Sequence, residues 1–266
     1  MTGAVTQADF RALARSSPWR WRSVRFTASW TGPYAGSPVR AWIERPNRMR
    51  VEDLDGAVLT VTDADPRPAT ARLTSARGFA PYWEPGVQPE EPAPSLPPQQ
   101  PRLRPDGLVA QRLDYLFDRD APMYQNYHWV AMLDPRELTD GAADLDAADP
   151  DAADPDERGP DGTSIGDVQV VDHHGRPAWE AVLAPTAFYD PRCSCCPLLN
   201  CAGAAEEYLR PDEPRQAGGY ATRFLARLDV ATGICVRTEE LDGPHAGAGH
   251  EVQIEAVDAP FPPRSG

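Results

Sequence analysis

The strongest constraint on this chain is a period of two. Val24, Phe26, Ala28 and Trp30 alternate with Arg25, Thr27 and Ser29; Val39, Ala41 and Ile43 alternate with Arg40 and Trp42. Met49 and Val51 alternate with Arg48, Arg50 and Glu52. Successive side chains of an extended chain point to opposite faces, so each run predicts a strand with one apolar face. Thr31-Gly32-Pro33, Pro46-Asn47 and Asp55-Gly56 punctuate the runs, and Asp-Gly is a strong hairpin signal leading into residues 58–62. Four strands with short connections predict an antiparallel meander. One of its faces is apolar and the other is rich in arginine and threonine.

The same pattern returns later. Residues 168–171, a turn over 172–177 and residues 179–183 predict a hairpin. Tyr220, Thr222, Phe224, Ala226, Leu228 and Val230 then alternate with Arg223 and Arg227. Thr232-Gly233 turns the chain into Ile234, Val236 and Thr238, which places Cys235 with Arg237 and Glu239 on the polar face. A glycine-rich loop leads to Val252 and Ile254.

Helical signals are fewer. Thr6 is an N-cap for a helix over 7–16, with Asp9 in its first turn and Pro18 ending it. Spacing predicts a second helix over 108–117, with Tyr115, Tyr124, Tyr127 and Trp129 clustered around it. A third is expected over 132–138, with Asp134 as N-cap and Pro135 at its first position. The whole reads as a single α+β domain over 1–266. Two insertions interrupt it: a proline-rich extended segment at 84–105, and an acidic low-complexity tract at 140–163 that cannot bury a core. A proline-rich tail over 260–266 is expected to fray.

The formal charge of −14 and pI near 4.7 argue against nucleic acid or an anionic membrane as partner. No apolar run approaches the roughly eighteen residues of a membrane span, and the first residues carry no secretory signal. A cytoplasmic location follows as an expectation, and with it reduced thiols.

That matters because residues 192–201, RCSCCPLLNC, hold four of the five cysteines. Cys193, Cys195, Cys196 and Cys201 are candidate ligands for zinc or an iron–sulfur group. The usual two-residue gaps are missing, so thiol redox use and a loop of structural buried thiols stand beside that reading. His173 and His174 fall in a hairpin turn, and His245 and His250 in a glycine-rich connection, where exposed histidines are the default. His128, between Tyr127 and Trp129, reads as core. No Ser-His-Asp motif and no phosphate loop is present, so an enzyme is not expected.

RFTASWTGPYAGSPVRAWIERPNRMRVEDLDG resembles the N-terminal strands of the outer-membrane lipoprotein carrier (LolA-like) superfamily, through the turn Pro46-Asn47-Arg48. DHHGRPAWEAVLAP is similar to its Gly-Arg strand, through Gly175, Arg176 and Ala178. LDVATGICVRTEELDG is similar to its Thr-Gly turn, through Asp229, Thr232 and Gly233. The resemblance implies a strongly curved antiparallel sheet, an incomplete barrel closed by helices. It also implies a non-enzymatic protein that holds a lipid chain or other apolar small molecule on the concave face, or that binds a protein partner. Phe26, Trp30, Val39, Ile43, Phe224 and Leu228 would line that face. The alternative is a metal-binding or thiol-switch protein acting through the cysteines, which lie outside the family pattern.

Overall fold

The computed structural model describes residues 4–63, 101–112, 121–141, 160–209 and 216–262. The N-terminal part holds α1 (Gln7–Arg20), β1 (Ser23–Thr31), β2 (Val39–Glu44), β3 (Arg48–Asp53) and β4 (Val58–Asp63). The middle holds β5 (Arg102–Leu103), β6 (Val109–Gln111), α2 (Tyr127–Leu133) and a 3₁₀ turn (Arg136–Leu138). The last part holds β7 (Thr163–Ile165), β8 (Gln169–His173), β9 (Arg176–Pro185), α3 (Ala202–Tyr208), β10 (Phe224–Asp229), β11 (Cys235–Glu240) and β12 (Gly249–Val257).

Among the described residues ten strands form one antiparallel sheet in the order β4-β3-β2-β1-β12-β11-β10-β9-β7, while β8 follows β7 along the same edge of β9. The sheet is open, and the N-terminal meander joins the C-terminal strands through β1 and β12. Helices and sheet together make an α+β architecture. The period of two is realised as expected: Val24, Phe26, Ala28, Val39, Ala41, Ile43, Met49 and Val51 are buried. The opposite face carries ion pairs such as Arg40–Glu255 and Arg237–Glu251. Phe10 and Leu13 of α1, with Trp129, Met132 and Leu133 of α2, complete the core.

Thr6 caps α1 through a reciprocal capping box with Asp9. The helix does not stop at Pro18 but runs to Arg20. The Arg20 guanidinium donates to the carbonyls of Val230 and Ala231, which holds the last turn on the β10–β11 connection. Gly233 in that connection has φ +73°, and a Cβ there would sit 2.6 Å from the Leu13 carbonyl oxygen. Only glycine allows so close an approach.

Three expectations are corrected. Residues 109–111 form strand β6, paired with β5, where a helix was expected; residues 113–117, Tyr115 among them, lie outside the described residues. β6 is tied to α1 by the Val109 N–H donating to Ser16 Oγ at 2.8 Å. The helix expected over 132–138 is instead the end of α2 followed by a 3₁₀ turn, and Asp134 closes α2 rather than capping a new helix. Cys235 is fully buried, not on the polar face. A bulge between Arg227 and Leu228 in the β10–β11 pairing shifts the register there and sets Cys235 opposite Leu228. Of the proline-rich segment only residues 101–105 are described, and most of the acidic tract likewise lies outside. Among the described residues no helix is long and apolar enough to cross a membrane.

Candidate functional site: a clamped cysteine loop beside an aromatic cavity

The turn after α2 supplies two buried acids, Asp134 and Glu137, and both grip the cysteine loop. Asp134 Oδ2 accepts from Arg192 Nη2 at 2.8 Å, and Asp134 also pairs with Arg112. Burial pushes the Asp134 carboxyl up, but the two guanidiniums overcome it and leave the group below the usual carboxylate range. Glu137 holds both ends of the loop. Its Oε2 accepts from Arg192 N at 2.8 Å, and its Oε1 accepts from Leu198 N at 2.6 Å and Tyr189 Oη at 2.7 Å. Tyr189 Oη in turn accepts from Leu199 N at 3.1 Å. Burial raises the Glu137 pKa against the pull of these donors. Every partner is a donor, which suits the ionised carboxylate.

Between those anchors the chain folds on itself, with Cys196 N donating to the Cys193 carbonyl at 3.2 Å. The turn brings the sulfurs of Cys193, Cys195 and Cys196 within 4.8 Å of one another. Cys193 and Cys195 Sγ are 2.9 Å apart, and Cys195 and Cys196 Sγ 3.7 Å. None is in a disulfide. Hydrogen bonds from Cys196 and Cys195 bring the Cys193 thiol down to about 5, while Cys195 and Cys196 are pushed up and keep their protons. The cluster therefore holds one stabilised thiolate at neutral pH. Cys201 is not in this group; it is buried at the start of α3, and burial raises its pKa.

A cavity of about 150 Å³ opens against the loop, with Cys195, Cys196 and Asn200 on one side. Trp30, Tyr124, Trp129 and Phe224 form its apolar wall; His128, Thr238 and Glu240 add polar groups. Trp30 stacks on Trp129 at 6.3 Å between ring centroids, and Tyr124 meets Trp129 edge-on at 5.3 Å.

Histidine places depart from the sequence reading. His250 lies buried in β12 rather than in an exposed connection, and its Nε2 is 2.9 Å from the Cys235 carbonyl. His128 Nδ1 is 2.9 Å from the Pro197 carbonyl, and His128 Nε2 is 3.0 Å from His250 Nδ1. A carbonyl only accepts, so with both rings neutral the N–H lies on His128 Nδ1 and on His250 Nε2, which leaves the 3.0 Å approach of His128 Nε2 to His250 Nδ1 without a donor. Thr238 Oγ1, at 2.9 Å, supplies the hydrogen that His250 Nδ1 accepts. Burial lowers both pKa values, to about 3 for His250. His173 is also buried, at the end of β8. Its ring, His174 and Glu251 form a second compact group. Both His173 nitrogens are already engaged, Nε2 by the Val252 carbonyl and Nδ1 by Arg227.

Of the six residues expected to line an apolar site, Trp30 and Phe224 reach the cavity. Phe26, Val39, Ile43 and Leu228 are buried in the core between sheet and helices. Of the four candidate metal ligands, three converge. Glu137, His128, His250 and Glu240 carry the site's geometry without having been singled out for it. Comparison with family models, with curated proteins and with solved structures gives no match for this chain.

Proposed function

We propose that the chain is a non-enzymatic metal-binding protein whose soft-metal site is Cys193, Cys195 and Cys196, with zinc as the ion that suits it. The convergence of three sulfurs within 4.8 Å carries this reading. Zinc–sulfur bonds of about 2.3 Å in a tetrahedron separate neighbouring sulfurs by about 3.8 Å; Cys195 and Cys196 already stand 3.7 Å apart, while Cys193 and Cys195, at 2.9 Å, would have to move apart. The stabilised Cys193 thiolate supplies the first negative ligand. Three protein ligands leave a fourth position for water, an external thiol or a partner's side chain.

Elemental analysis of protein prepared under reducing conditions tests the proposal. The expected result is about one zinc per chain, lost in Cys195→Ser. Substoichiometric metal, with Cys193 alkylated freely at pH 6, would overturn it in favour of a thiol switch.

The incomplete-barrel reading, with a lipid chain on a concave sheet face, has less support. Four of its six residues are sealed in the core, and the cavity is small for an acyl chain.

A further inference from the structure

Glu240 is a buried carboxylate that its own protein leaves half unanswered. It ends β11, is 6% exposed and lines the cavity. Its Oε1 accepts one long bond, from Asn200 Nδ2 at 3.4 Å, and its Oε2 has no partner among the described residues. Asp134 and Asp229 each meet an arginine, whereas Glu240 forms no ion pair among the described residues. His245 is the nearby group of opposite tendency, and Asp242 the like charge. An unpaired carboxylate away from water is strongly disfavoured, so such a group points to a missing partner.

What faces it defines the partner. Trp30, Trp129 and Tyr124 line the same cavity, with Trp30 stacked on Trp129 so that each covers part of the other. Aromatic faces carry partial negative charge and attract cations most strongly where water is excluded. A metal ion would not use the rings, an anion would be repelled by Glu240, and a purely apolar guest would leave the carboxylate unanswered. An ammonium group on a small apolar body answers both walls.

We infer that this cavity binds a small organic ammonium ion, with Glu240 as its counter-ion and Trp30, Trp129 and Tyr124 as its aromatic wall. The cavity shares Cys195 and Cys196 with the sulfur cluster, but its counter-ion and rings are not metal ligands, so the inference does not depend on the metal-binding reading.

Benzylammonium is the probe, titrated calorimetrically into full-length, chelator-treated, reduced protein at pH 7.5, with benzyl alcohol as its neutral isostere. Benzylammonium should bind about tenfold or more tightly than the alcohol, and Glu240→Gln should remove that preference while leaving metal content unchanged. Trp30→Leu, which keeps the carboxylate, should weaken benzylammonium several-fold and serves if the Gln variant does not fold. Equal affinity for the two probes, or no binding of either at millimolar concentration with water alone in the cavity, would overturn the inference. Substoichiometric zinc in the protein before chelator treatment, together with intact benzylammonium binding after it, would sink the metal reading and spare this one.

Discussion

Glu137 and Glu240 are buried to nearly the same degree, 4% and 6% exposed, and both reach the cysteine segment. Glu137 receives three donors at 2.6–2.8 Å, two of them backbone N–H groups at the ends of the loop. Glu240 receives one, at 3.4 Å. Burial raises the pKa of both. The difference separates a carboxylate built into the fold from one left open for something outside it. A satisfied buried acid defines local structure; an unsatisfied one marks where chemistry is missing.

The largest expected effect breaks the first half of that contrast. Glu137→Gln puts an amide N–H₂ against N–H and O–H donors, and should cost about 3 kcal/mol of stability in urea unfolding. It should also speed alkylation of the loop cysteines. A cost smaller than that of Glu240→Gln would reverse the assignment of roles.

A smaller effect tests the histidines between the two acids. His250 titrates near 3 in the folded chain, against about 6.5 for an unperturbed imidazole. A base with a lowered folded pKa contributes fully above its unfolded value and loses that contribution as the pH falls towards the folded one. Between pH 6.5 and 5.5 stability should therefore drop by up to about 1.4 kcal/mol from His250. His250→Gln should flatten that slope in pH-dependent unfolding.

The smallest effect sharpens the second half. An acid with a raised folded pKa contributes its stability below the unfolded value, and that is lost as pH rises through the folded one. Glu240→Gln should match wild type near pH 4 and gain on it as the pH rises. Parallel unfolding curves at pH 4 and 8 measure the gap; a wild-type advantage at pH 8 would mean that Glu240 has a partner in the folded protein.

The sheet was legible in the sequence because its code is local. Alternation and turn residues placed β1 to β4, the β8–β9 hairpin and the β10–β11 turn. Cys235 was misplaced because one bulge shifts the register, and periodicity cannot show a bulge. The site was less legible because its contacts are distant. Glu137 meets Arg192 and Leu198, 55 and 61 residues on, and His128 meets His250 across 122 residues. The cysteine cluster was visible as composition, but which three sulfurs converge depends on the turn between Cys193 and Cys196.

The clamp at the two ends of the loop also bears on how folding and ligation are coupled. In a small zinc module the ion organises the chain, and removing it unfolds the domain. Here Arg192 and Leu198 are held by an acid from another part of the core, so protein contacts fix both ends of the cysteine loop. If the sulfurs take zinc as proposed, occupancy would be a reversible event on a scaffold already held by Glu137, and chelation should leave the protein folded, unlike a structural zinc domain.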